Sequence, residues 1–185
     1  MRDVSANTGL ETTRLSLRRP VSADVDAILD ICGDPHPGVF TVTTRAVAQS
    51  LYDDWNEHWD RHGFGYWVIR YRDDDAAVGF CGVQTIPMPA GPALNLYYRL
   101  APAARGRGLA TEAAASAVAW SHTHLPELPV IARIQPGNDA SPGVALRAGL
   151  APAEHLNTDS WIHYADPADW GRSQDGGDRH PDNLR

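Results

Sequence analysis

The chain has 185 residues, of which 43% are hydrophobic and 21% charged, ordinary proportions for a globular protein. That length suits one domain and can bury a substantial core. The formal net charge of −7 offers no global basic field to nucleic acid or an anionic membrane. No apolar run approaches the ~18 residues of a spanning helix, so the expectation is a cytoplasmic protein with neither partner.

Along the chain, Met1 to Thr13 is polar and reads as a flexible lead, without the apolar core of a signal peptide. Leu15-Ser16-Leu17-Arg18 alternates as a first strand does. Pro20-Val21-Ser22 opens a helix, with Ser22 as N-cap, Asp24 in the first turn, and a stripe of Val25, Ile28, Leu29 and Cys32. Gly33 to Gly38 stops it. A second helix is expected from about Thr44 to His62, ending before Gly63. Val47, Leu51, Trp55 and Trp59 recur on one face of it. Phe64 to Arg72 and Ala77 to Ile86 are strand-like around a polar turn, Asp73-Asp74-Asp75. Pro87 to Pro92 reads as a turn and Leu94 to Leu100 as the next strand.

A glycine-rich loop, Arg105-Gly106-Arg107-Gly108, precedes an alanine-rich helix over Ala110 to His122. Pro129 to Gln135 is a strand and Pro136 to Ala140 a turn. Ser141-Pro142 starts a short helix that ends at Gly149, and Ser160 to Ala165 offers a last strand. Pro167 to Arg185 has little that can pack and reads as a disordered tail. The order implies a mixed α/β domain over residues 14–166, with helices covering a sheet.

Several residues invite a chemical reading. Cys32 and Cys81 sit in apolar segments without metal-ligand spacing and read as small buried hydrophobes. His58 and His62 are four apart on the second helix, but no third metal ligand accompanies them. His122 and His124 stand near a helix end, where a histidine complements the dipole. Ser141 is a candidate acid, or only a helix N-cap, since Pro142 fits the first helical position.

The strand–glycine loop–helix segment is the most informative. A helix start carries unsatisfied N–H donors and a partial positive charge, glycines admit a close phosphate, and two arginines add cationic character. The pattern alone implies an anion site. It is neither a Walker loop nor a dinucleotide fingerprint, since Gly-Lys-Ser/Thr and Gly-x-Gly-x-x-Gly are both absent.

Arg105-x-x-Gly108-x-Ala110 resembles the pyrophosphate signature of GNAT acetyltransferases, Gln/Arg-x-x-Gly-x-Gly/Ala. Asn138 followed by Ser141, with Leu146-Arg147-Ala148-Gly149-Leu150, resembles a second block of the RimJ/RimL branch, whose characterised members acetylate ribosomal-protein N-termini. Both fall in the expected order, and the likeness covers about Thr13 to Asp166. It implies an α/β (α+β) GNAT fold, a twisted mixed sheet flanked by helices on both faces, whose fourth and fifth strands splay apart.

It also implies acetyl-CoA as co-substrate and an amine as acceptor, with no metal. The amides of Arg105, Gly106, Arg107, Gly108, Leu109 and Ala110 would hold the pyrophosphate, with Asn138 nearby. The backbone at Leu100 would donate to the thioester carbonyl, and Ser141 would protonate the departing thiolate. Asn95, Tyr97 and Leu150 stand where the branch usually has Glu, Gly and Phe. The usual carboxylate beside the acceptor is therefore missing, and Tyr97 reshapes the pocket. The acidic balance is compatible with a cationic acceptor, a homodimer is compatible with the fold, and a larger donor such as succinyl-CoA or a CoA-binding module without catalysis stand as alternatives.

Overall fold

The computed structural model describes residues 9–167. Strands β1 (Gly9–Glu11) and β2 (Leu15–Arg18) precede helices α1 (Val25–Gly33) and α2 (Arg45–His62). Strands β3 (Tyr66–Tyr71), β4 (Ala77–Met88) and β5 (Gly91–Leu100) follow, then α3 (Leu109–His124), β6 (Val130–Ile134), α4 (Ser141–Arg147), β7 (Ala151–Pro152) and β8 (Ile162–Ala165). The strands form one sheet in the order β1-β2-β3-β4-β5-β6-β8-β7. Every neighbouring pair is antiparallel except β5 and β6, which run parallel. This is the mixed α/β sheet architecture that the motifs imply.

Local chemistry explains most of the elements. Thr44 caps α2 by accepting the Val47 N–H (3.3 Å), and Gly63 closes it at φ 77°. Trp55 and Trp59 are buried, with Val47 and Leu51 packed beside the core, as their spacing predicts. Ser22 is not the N-cap of α1. Ser22–Asp24 form a single 3-10 turn instead, and Asp24 accepts the Val21 N–H (2.7 Å) while pairing through both oxygens with Arg18. A carboxylate reaches back over a turn more readily than the shorter serine hydroxyl, and here Arg18 fixes it in place.

Two boundaries differ from the sequence reading. The flexible lead expected through Thr13 gives way to a strand at Gly9, where Leu10 pairs with Leu17, and Thr12 bonds Glu112 (2.6 Å). Three residues with one apolar side chain carry no readable period, so only the partner strand makes them a strand. The turn expected over Pro87 to Pro92 is tighter: the ladder continues to Met88↔Gly91, leaving Pro89 and Ala90 as the loop. The tail expected from Pro167 lies outside the described residues beyond its first position.

Strand alternation sorts the side chains onto two faces. Leu94, Leu96 and Leu100, with Val130, Ala132 and Ile134, pack in the core cluster that includes α3 and α4 residues. Tyr66, Val68 and Phe80, with Tyr97 beside them, pack against α1 and α2. Helices therefore cover both faces. Strands β5 and β6 are paired only at Leu94↔Val130 and Asn95↔Ile131. Beyond that point they part, and the interior opens.

Candidate functional site

The parting strands open a cleft of about 720 Å³ that joins the two faces of the sheet. Its α3/α4 side is lined by Leu96, Tyr98, Ala110, Thr111, Ser141 and Val144; its α1/α2 side by Cys32, Trp55, Tyr66, Asn95, Tyr97 and Arg133. Backbone direction matters in the gap. Ala101 donates to Val78 on β4 (2.9 Å), whereas Leu94 donates toward β6, to Pro129 (2.8 Å). Donors alternate sides along a strand, so the N–H groups of Tyr98 and Leu100 point into the gap, past the last paired residue of β6.

At one end of the cleft lies the start of α3. Glu112 makes the first ladder bond, to the Gly108 carbonyl (3.1 Å), which leaves the amides just before it without helical partners. Gly108 has φ 76°, a left-handed conformation that favours glycine, and a Cβ there would lie 3.6 Å from Arg14. Backbone geometry rather than crowding therefore calls for glycine.

Both loop arginines already have protein partners. Arg105 pairs with Asp34 (2.7 Å) and donates to the Leu100 carbonyl (3.0 Å), bracing the cleft wall. Arg107 bonds the Tyr71 hydroxyl (2.7 Å) and lies over that ring, away from the cleft lining. Arg147 comes instead from α4, reaching Thr111 (3.3 Å) with no carboxylate partner among the described residues. Leu109 is buried in the core and Ala110 lines the cleft beside Gly106 and Gly108.

Asn138 and Ser141 meet as the motif implies, with one correction. The N-cap of α4 is Ala140, and the Asn138 carbonyl oxygen accepts the Ser141 N–H (3.3 Å). Capping belongs to Asn138, whose side chain sits outside the helix with the reach to do it. Ser141 is the first helical residue, and the Tyr98 hydroxyl donates to its carbonyl (2.8 Å).

The α1/α2 side is an aromatic chamber. Tyr66 and Tyr97 have ring centroids 4.9 Å apart, and Trp55 meets Tyr66 edge-on at 5.5 Å. Burial pushes the Tyr66 hydroxyl up to about 12, against a lesser opposing effect of its Asn95 hydrogen bond, and drives Tyr97 well above its ordinary value. Burial likewise raises the Cys32 thiol, 3.7 Å from the Tyr97 hydroxyl. These groups are neutral near neutral pH. Arg133 donates through Nε to the Asn95 carbonyl oxygen (3.3 Å), and the Asn95 amide donates to the Tyr66 hydroxyl (3.2 Å). No aspartate or glutamate lines the cleft among the described residues.

The loop between α1 and α2 forms the rim. Buried Arg99, only 7% exposed, holds it by donating to the carbonyls of Ile31 (3.2 Å), Asp34 (2.5 Å) and Phe40 (2.7 Å). Gly38 has φ 64°, and a Cβ there would fall 2.7 Å from the Asn138 nitrogen, so this rim rests against the loop before α4.

The histidines lie elsewhere. His58 bonds the Phe64 carbonyl through Nδ1 (2.8 Å) and accepts the Thr85 N–H at Nε2 (3.0 Å), so neither nitrogen is free to join His62 on a metal. His122 meets Asp166 (2.5 Å), and His124 bonds the Trp120 carbonyl (2.9 Å). Sequence reasoning did not single out Trp55, Tyr66, Arg133 or Trp161 as cleft residues. The alternation of Asn95, Tyr97 and Arg99 was the available signal, but it does not say what lies across the gap.

Comparison with known proteins matches residues 14–151 to the family model "Acetyltransferase (GNAT) domain". An acetyltransferase from Agrobacterium tumefaciens is 24% identical with a TM-score of 0.74, over 86% of this chain and 94% of that one. A GNAT-family acetyltransferase from Bacillus anthracis is 15% identical with a TM-score of 0.60, over 85% and 95%. RimL, a ribosomal alpha-N-protein acetyltransferase solved in complex with coenzyme A, is 19% identical with a TM-score of 0.64, over 83% and 94%.

Proposed function

Since the chain belongs to the GNAT acetyltransferase family, we propose that it transfers an acetyl group from acetyl-CoA to a primary amine by direct attack. The observation that carries this reading is the cleft through the sheet, which has open amides at the α3 start on one face and an aromatic chamber on the other. The residues fit an acyl-CoA: Gly106, Gly108 and the amides up to Ala110 suit a pyrophosphate, and Arg147 adds a cation there.

Acyl-CoA supplies the acetyl group, activated as a thioester. The N–H groups of Tyr98 and Leu100 face the position where a thioester carbonyl in the gap would develop negative charge. The aromatic chamber orients the amine. The amine nitrogen bonds the carbonyl carbon as the carbon–sulfur bond breaks. The nitrogen loses a proton, and Ser141 gives one to the sulfur and regains it from solvent. Among the described residues no carboxylate lines the chamber to take the amine proton, so it passes to water.

That missing carboxylate also favours a second reading, a module that binds CoA without catalysis. Release of free CoA thiol is followed with acetyl-CoA, or succinyl-CoA in parallel, against a panel of amines. Amine-dependent release is expected. If CoA stabilises the protein but no amine releases thiol from either donor, the binding module is the correct reading.

A further inference from the structure

We propose that the acceptor is an amino acid carrying a free carboxylate and an aromatic or large apolar side chain, with Arg133 binding the carboxylate. This rests on the acyltransferase reading above and narrows its substrate. Arg133 is on the chamber side of β6, two residues past the last β5 pair. The open amides of α3 are on the opposite face, so this cation is separate from the phosphate end.

The guanidinium is held but not neutralised. Nε is committed to Asn95, whose amide is tied in turn to Tyr66. The group lies 5.1 Å over the Trp161 ring, a stacking that fixes its plane. Its terminal nitrogens have no hydrogen-bond partner, and no carboxylate pairs with it, among the described residues. A preoriented fork with two free terminal nitrogens matches a carboxylate. The walls of Trp55, Tyr66 and Tyr97 match a flat or bulky side chain.

A polyamine or aminoglycoside would bring further positive charge beside Arg133, and among the described residues no carboxylate lines the cleft to balance it. The chain's net charge of −7 does not describe the cleft, which no aspartate or glutamate lines among the described residues.

The test uses matched acceptors with acetyl-CoA: phenylalanine, phenylalanine amide, phenethylamine and spermidine. Phenylalanine is expected to exceed the other three in kcat/KM by at least ~10-fold, as loss of a charge-assisted contact requires. Arg133→Gln is expected to erase that preference mainly through KM, and Arg133→Lys to keep part of it, while both retain the stabilisation by CoA. Equal use of the acid and its amide, preference for spermidine, or unchanged preference in Arg133→Gln would overturn the proposal. If the variants fail to fold, the four acceptors with the unaltered protein decide alone. Without turnover, calorimetric titration of N-acetylphenylalanine and N-acetylphenethylamine onto the CoA-loaded protein decides: the acid must bind at least ~10-fold tighter, and equal or absent binding overturns the inference. Failure to bind CoA at all would instead sink the acyltransferase reading.

Discussion

At His58 both imidazole nitrogens are committed, one to the Phe64 carbonyl and one to the Thr85 N–H, which fits only the neutral ring. Burial depresses its pKa, opposed by the Phe64 carbonyl and assisted by His62 and Arg61. His163 is depressed as well, by burial and then by Arg133. In both cases the unfolded chain binds more protons between the folded and unfolded values, so stability rises with pH there. The contribution is complete above the unfolded value near ~6.5 and is lost as pH falls through the folded one. The melting midpoint should therefore drop from about pH 7 to about pH 5, and His58→Gln should flatten part of that drop. Parallel curves for the two proteins would remove His58 from the effect. Ser141 is a second test at this scale. As the acid for the leaving sulfur, its replacement by alanine should lower kcat at least ~10-fold, about 1.4 kcal/mol of barrier, with CoA affinity unchanged. Because Asn138 does the capping, Ser141→Ala should barely move the melt, whereas Asn138→Ala should cost about 1 kcal/mol. Unchanged turnover in Ser141→Ala would leave catalysis to backbone donors and solvent.

Among the elements, α3 anchors the chain's first strands as well as the cleft. Glu112 in its first turn accepts from the Thr12 hydroxyl (2.6 Å), the Arg14 N–H (2.9 Å) and Arg14 Nε (2.6 Å). Burial alone would raise its pKa, but these hydrogen bonds outweigh burial and hold it below the ordinary value. Its contribution is thus present above the unfolded carboxylate range and lost as pH falls through the folded value. Glu112→Ala should cost about 2 kcal/mol, discounted for the exposure of Arg14, and Glu112→Gln less. Chemical denaturation at neutral pH measures both, and equal losses would show that charge is immaterial. The gap between β5 and β6 also belongs to this scale. Each strand reads plainly in the sequence, yet their parting after two pairs is a property of the pair.

For the whole molecule, the expected signature is stabilisation by cofactor. CoA at ~100 times its dissociation constant should add about 2.7 kcal/mol. For a domain of this size that is a midpoint shift of about 5–10 °C. Acetyl-CoA should behave likewise, and a melt indifferent to millimolar CoA would refute the cofactor assignment. ATP, which lacks the pantetheine arm that would lie in the gap, should shift it less.

The sequence by itself determined what local period and local backbone chemistry can carry. The four-residue recurrence of Val47, Leu51, Trp55 and Trp59 set α2, Thr44 and Gly63 set its ends, and the Arg105 to Ala110 loop marked a glycine-led helix start. Those features depend on neighbours within a turn or two of chain. Tertiary structure decided where the charges point. Asp34 and Tyr71, distant in sequence, hold the Arg105 and Arg107 guanidinium groups, and α4 brings Arg147 to Thr111. It also decided the chamber, since Tyr66, Asn95, Arg133 and Trp161 come from β3, β5, β6 and the segment before β8. Their meeting depends on strand order and register, which no single segment encodes.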